Sequence, residues 1–257
     1  ERDHLGLVGD VALVHQPQVD RAEALDAERA QVVLHARAQL FGALGRQPAA
    51  LGVAAGLDAA HLILLVVAVF AGQLSVGLSN DAIDMFRDAT VGRSDKPLVR
   101  GDARLRTAWI AAFVSLGVAV VLSAVLGWGM LLAHVVALAS AWSYNAGLKA
   151  TRLSIVPFLV SFGIFPSLAT LSASDPAPAA PWATFAGAVL GAAVHLTNVL
   201  PDLDDDRRTG VRGLPHRLGA GASVLLAVTA IILAAVAVLA GSLAERANPL
   251  GMILFAE

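Results

Sequence analysis

Apolar residues in this chain run in long unbroken blocks, without alternating at every second position or striping at every third or fourth. Six blocks stand out, over 62–78, 107–127, 130–148, 153–173, 182–200 and 220–244. Each is about 17 to 25 residues, the length an α-helix needs to cross a hydrocarbon core roughly 30 Å thick. They are apolar on every side, which suits helices surrounded by lipid and by one another. Helices are required because lipid offers no partner for free backbone N–H and C=O groups. The pattern predicts an all-α, multi-pass transmembrane helical bundle.

The polar positions between the blocks set the orientation. Arg87, Arg93, Lys96, Arg100, Arg104 and Arg106 follow the first block, Lys149 and Arg152 the third, and Arg207, Arg208, Arg212 and Arg217 the fifth. The alternate connections, Trp128-Gly129 and the stretch 174–181, hold no Lys or Arg. Basic loops on one side of the bundle place that side in the cytoplasm, in the plasma membrane if the source is bacterial. Trp109, Trp128, Trp142 and Trp182 near block ends read as interfacial anchors.

Composition agrees with a membrane protein. Of 257 residues, 57% are hydrophobic and 15% charged, with a mean hydropathy of +0.70; soluble domains carry about 25% charged residues. Cysteine is absent, which excludes disulfides and thiolate metal sites. Residues 1–57 differ from the rest, mixing Arg, Asp, Glu, Gln and His with scattered apolar residues. They read as an atypical charged extension, with an amphipathic helix over 20–40 or no fixed order, or as a mis-assigned start. Residues 58–257 form the membrane domain. Within it, Gly187 and Gly191 make a close-packing GxxxG pair, and Pro157 and Pro166 are expected to kink the fourth helix. His195 is expected to be a packing histidine bonded to a backbone carbonyl, or to face a cavity, and His134 is read as packing.

Chemistry is concentrated at two block ends. The first reads Asn80-Asp81-Ala82-Ile83-Asp84-Met85-Phe86-Arg87-Asp88. Its carboxylates, at i, i+3 and i+7, share one helical face. Like charges on one stripe repel, and a divalent cation is the simplest reason for them to coexist. The second cluster, Asn198 to Asp206, places Asn198, Asp202 and Asp206 at i, i+4 and i+8, again one face if helical. Asp204 and Asp205 lie off that face and read as solvated. Oxygen-rich clusters at the same end of two helices predict a shared site for magnesium or calcium. Basic residues beside such metal suit a diphosphate, with Arg93, Lys96, Lys149 and Arg212 as its candidate partners.

These residues resemble the signatures of the UbiA superfamily of intramembrane prenyltransferases. The stretch from Asn80 to Asp88, followed by Gly92 to Gly101, resembles the first signature. Asp202 to Asp206, followed by Gly210 to Gly219, resembles the second. Trp142 to Lys149 resembles the Tyr/Lys motif between them. The likeness spans 62–244. It implies Mg2+ held by Asn80, Asp84, Asp88, Asp202 and Asp206, and diphosphate held by Arg93, Lys96, Lys149, Arg212 and Tyr144, unless Tyr144 only marks the interface. It implies catalytic roles for Asp84, Asp202 and Lys149, with Asp81 orienting the acceptor or a neighbouring ligand. The implied reaction moves a polyprenyl group from its diphosphate, through an allylic carbocation, to an aromatic or other lipophilic acceptor. The partners are those two substrates and the bilayer, with no nucleic acid. The family has nine helices against the six blocks here. Its first would precede Leu62 and its last two would follow Ala244, so the domain is expected to be incomplete at its ends.

Three other readings compete. A multi-pass transporter would show inverted repeats with broken helices at the midplane, whereas both acidic stretches here follow the same order at one face. A soluble prenyl diphosphate synthase would need polar outer faces. A non-catalytic membrane subunit would not need intact acidic motifs. The acceptor and the prenyl length have no readable code in walls of Ala, Val and Leu.

Overall fold

The computed structural model describes residues 46–93 and 96–247, apart from the side chains of residues 204, 205, 246 and 247. The expected amphipathic helix over 20–40 and the apolar tail over 248–257 lie outside the described residues. Six long helices carry the fold: α1 (Ala59–Thr90), α2 (Leu105–Leu126), α3 (Trp128–Ala146), α4 (Val156–Thr170), α5 (Pro181–Asn198) and α6 (Ala220–Ala247). Among the described residues there is no strand. Residues 46–54 are also helical, and Leu51, Ala55 and Leu57 pack onto a core of Leu65, Val69, Leu126, Met130 and Leu168.

Four helices are long and apolar enough to cross a membrane, at Ala59–Thr90, Leu105–Leu126, Pro181–Asp202 and Ala220–Glu245. The other two expected spans fall short for different reasons. Helix α4 has 15 residues, and α3 is diluted by His134, Ser140, Ser143, Tyr144 and Asn145.

Local chemistry sets the helix ends. Asp58 caps α1, its Oδ1 accepting from the Ala60 and His61 amides at 2.8 and 3.1 Å. Pro157 sits in the first turn of α4, where its missing N–H would be unpaired anyway, so it starts the helix and does not kink it. Only Pro166 lies inside α4.

Helix α1 packs along α2, both contact α3, and the chain then continues through α3–α4, α4–α5 and α5–α6 contacts. Small residues make these approaches. In α2, Ala112, Ser115, Ala119 and Ser123 are buried, while Val114, Val118, Val121 and Val125 face outward. In the GxxxG pair, a Cβ on Gly187 would fall 2.3 Å from the Phe162 carbonyl oxygen, and one on Gly191 2.4 Å from that of Phe158. The α5 backbone therefore rests directly on α4. Polar side chains cross-link the interior. Ser123 Oγ lies 2.7 Å from His134 Nδ1, a packing role for that histidine. Asn145 Nδ2 donates to the Val76 carbonyl and to Ser79 Oγ. Trp142 donates its indole N–H to Ser75 Oγ at 3.2 Å, so it ties α3 to α1 and is not simply an interfacial anchor.

Candidate active site

The first acidic motif is helical throughout, because α1 continues past its apolar block to Thr90. Asp81, Asp84 and Asp88 share one face as expected. Asp84 and Asp88 are buried, and Asp81 is half-buried. Asp84 is held from two sides. Lys149 Nζ pairs with Oδ1, and Arg87 donates Nη2–H to Oδ2 at 2.9 Å. Lys96 Nζ stands 2.6 Å from Asp88 Oδ2 and 2.9 Å from Asp81 Oδ1.

The second motif departs from the expected single face. Helix α5 ends at Asn198, a tight turn occupies Leu200–Asp202, and a short helix follows over Leu203–Arg208. Pro201 explains the break, since it has no N–H to donate and its ring opposes the preceding turn. Asn198 is left exposed and makes none of the site's contacts. Asp202 and Asp206 nevertheless reach the first motif. Arg93 Nη1 donates to Asp202 Oδ1 at 3.0 Å, and Arg87 Nη1 to Asp206 Oδ1 at 3.1 Å. His216 Nε2 lies 3.2 Å from Asp206 Oδ2.

Five carboxylates, Asp81, Asp84, Asp88, Asp202 and Asp206, thus interleave with four cations, Arg87, Arg93, Lys96 and Lys149. Titration follows from burial set against these pairs. Burial pulls the Lys96 pKa down, but hydrogen bonds and charge from Asp88 and Asp81 outweigh it and leave the pKa raised. For Lys149 burial wins over Asp84, and its pKa is lowered. Burial also raises the Asp206 carboxyl, against the pull of Arg87 and His216.

Some expected residues stay outside this network. Arg212 is exposed, and only its carbonyl is engaged, by Arg217 Nε at 3.3 Å. Asn80 is half-buried and forms none of these pairs. Tyr144 packs edge-on against Phe158 and His195, with ring centroids 5.1 and 5.8 Å away. His195 bonds the Ser154 hydroxyl at 3.0 Å instead of a backbone carbonyl. Sequence reasoning passed over Arg87 and His216. Arg87 stands three residues after Asp84, a spacing that itself signals a pair. His216 has no such local signal, because its contact depends on how the second loop folds back.

The donor set is all oxygen, which fits magnesium. Among the described residues no three acidic or imidazole side chains converge into a closed metal cage.

Residues 40–256 match the UbiA prenyltransferase family. The chain belongs to this family. A curated UbiA-type relative, 4-hydroxybenzoate octaprenyltransferase of Providencia stuartii, is 26% identical over 186 residues, covering 72% of this chain and 65% of its own length. The chain therefore spans about two thirds of the curated relative it matches. Solved UbiA homologues share the fold. The apo structure from Aeropyrum pernix K1 superposes with a TM-score of 0.67 at 21% identity, over 80% of this chain and 79% of that one. A homologue from Archaeoglobus fulgidus, bound to GPP and Mg2+, gives 0.63 at 18% identity over 80% and 74%. The fold class expected from the hydrophobic blocks is that of the UbiA family.

Proposed function

We propose that this chain transfers a polyprenyl group from its diphosphate to a lipophilic, aromatic acceptor, in a magnesium-dependent reaction at the cytoplasmic face of the membrane. The observation that carries the reading is Arg87. It bonds Asp84 of the first motif and, 119 residues along the chain, Asp206 of the second, so the two motifs form one charged site. Likeness to a homologue that binds GPP and Mg2+ supports a prenyl diphosphate donor. The relative that acts on 4-hydroxybenzoate supports a phenolic acceptor.

In this reading Asp84, Asp88, Asp202 and Asp206 hold the metal, with Asn80 at the edge of the set. Magnesium held by these carboxylates would supply the positive charge that lets the diphosphate depart as a leaving group. Lys149, Arg87, Arg93 and Lys96 exchange their carboxylate partners for phosphate oxygens, which keeps the donor's charged end at the helix ends. The allylic C–O bond breaks, its electron pair leaves with the diphosphate, and the electron-rich carbon of the acceptor takes the allylic carbon. The acceptor's ring proton then passes to the released diphosphate. The apolar walls keep water from the cation. Asp81, half-buried beside Lys96, orients the acceptor or a neighbouring ligand.

The test is binding of geranylgeranyl diphosphate to the detergent-solubilised protein, with magnesium and then with EDTA. Binding should require magnesium and should be lost in Asp84→Ala and Asp202→Ala, with folding intact. Equal binding in EDTA, or no binding by the folded chain, would overturn the proposal.

A further inference from the structure

His195 stands seven residues before Asp202 in α5 and is 1% exposed. It contacts none of the site's carboxylates. Its partner is Ser154, whose Oγ is 3.0 Å from Nε2. The same oxygen accepts the Leu214 amide N–H at 2.9 Å. A hydroxyl both donates and accepts, so Ser154 can hold the Leu214 amide and the imidazole at once.

Ser154 thus ties three segments together: α5, the α3–α4 connection, and the loop after the second motif. The joint is tight. A Cβ on Gly213 would lie 2.5 Å from the Lys149 carbonyl oxygen and 3.0 Å from Ser154 Oγ. The imidazole is clamped by Phe158, with centroids 4.8 Å apart, and by Tyr144. Two of the tied segments deliver a side chain to the site. Lys149 lies five residues before Ser154 and reaches Asp84. His216 lies two residues after Leu214 and reaches Asp206.

We propose that His195 is a positioning residue for the donor site: by hydrogen bonding the Ser154 hydroxyl it locks the Leu214 turn onto the Lys149 connection and sets the spacing of Lys149 and His216 across the bound anion. The inference rests on the diphosphate reading above. His195 acts through Ser154 and touches neither substrate nor metal ligand.

The experiment measures binding of magnesium pyrophosphate and of geranylgeranyl diphosphate to detergent-solubilised wild type, His195→Leu, His195→Gln, Ser154→Ala and the His195→Leu/Ser154→Ala double variant. Leucine keeps the apolar contacts but removes the hydrogen-bond partner, so affinity for both probes should fall about tenfold, the worth of one well-placed hydrogen bond. Glutamine restores a hydrogen-bonding group of similar reach and should bind within about twofold of wild type. Ser154→Ala should weaken binding as His195→Leu does, and the double variant should be no weaker than either single one, because both remove the same link. Wild-type affinity in His195→Leu, failure of glutamine to rescue, or additive losses would each overturn the proposal. If leucine prevents folding, Ser154→Ala and the glutamine rescue still decide it. If folded wild type binds neither probe with magnesium, the diphosphate reading itself fails and takes this inference with it; if wild type binds and His195→Leu binds equally, only the positioning role falls.

Discussion

Arg87→Met separates the metal-free site from the loaded one. Methionine keeps most of the apolar stem and removes the guanidinium. Asp84 would then retain Lys149 alone, and Asp206 would retain only His216. Breaking a fully buried pair costs about 3–5 kcal/mol, chiefly because a charge is left uncompensated. The carboxylates qualify, with side chains 5% and 16% exposed, but Arg87 is 26% exposed, so solvent screens part of the loss and about 2 kcal/mol remains. For a chain of this length that lowers the unfolding midpoint by about 4–8 °C. The assay is thermal unfolding in detergent, first in EDTA and then with magnesium pyrophosphate. The full loss is expected in EDTA. Part of it should be recovered with magnesium pyrophosphate, because metal then compensates the same carboxylates while the lost Arg87–phosphate contact keeps the remainder. A variant as stable as wild type in EDTA would mean that the bridge between the motifs contributes nothing. An equal loss in both conditions would mean that Arg87 and the metal do not act on the same groups.

Gly213→Ala should weaken donor binding, since its Cβ would meet the Lys149 carbonyl at 2.5 Å; overpacking of this kind costs about 1–3 kcal/mol, and calorimetric titration with magnesium pyrophosphate would read it. Gly191→Ala should reduce the yield of folded protein in size-exclusion profiles without changing charge, because α5 cannot rest on Phe158 with a methyl group 2.4 Å from its carbonyl. The pH response follows from Asp206, whose pKa burial raises above 3.8. In metal-free protein its contribution to stability is present below 3.8 and is lost as pH rises through the folded-state value. Metal requires the carboxylate, so affinity for magnesium pyrophosphate should rise through the same window, and Asp206→Asn should remove that component of a pH titration.

The bundle was legible in the sequence because lipid imposes a single rule on every residue of a span. Length and polarity are both countable, so the block over 107–127 reappears as α2 almost unchanged. The blocks over 130–148 and 153–173 reappear as α3 and α4, the first more polar and the second shorter than the other four helices. Asp81, Asp84 and Asp88 were legible as a face because an unbroken helix links spacing to direction. Asn198 was misplaced by the same reasoning, since a single proline three residues later unlinks them. Arg87 and His216 show the other limit. Their meaning lies in contacts with Asp206, and in the case of Arg87 the contact spans 119 residues. No local pattern encodes such a distance.

Helix α1 begins at Ala59 and carries Asp84 twenty-five residues later, a rise of about 38 Å at 1.5 Å per residue. The hydrocarbon slab is only about 30 Å thick. An upright α1 that starts at one edge of that slab would carry the acidic groups past the other edge, to the height of the lipid headgroups. The height of the site would then be a matter of membrane thickness. A bilayer of longer acyl chains would draw Asp84 toward hydrocarbon, and a thinner one would lift it farther into water.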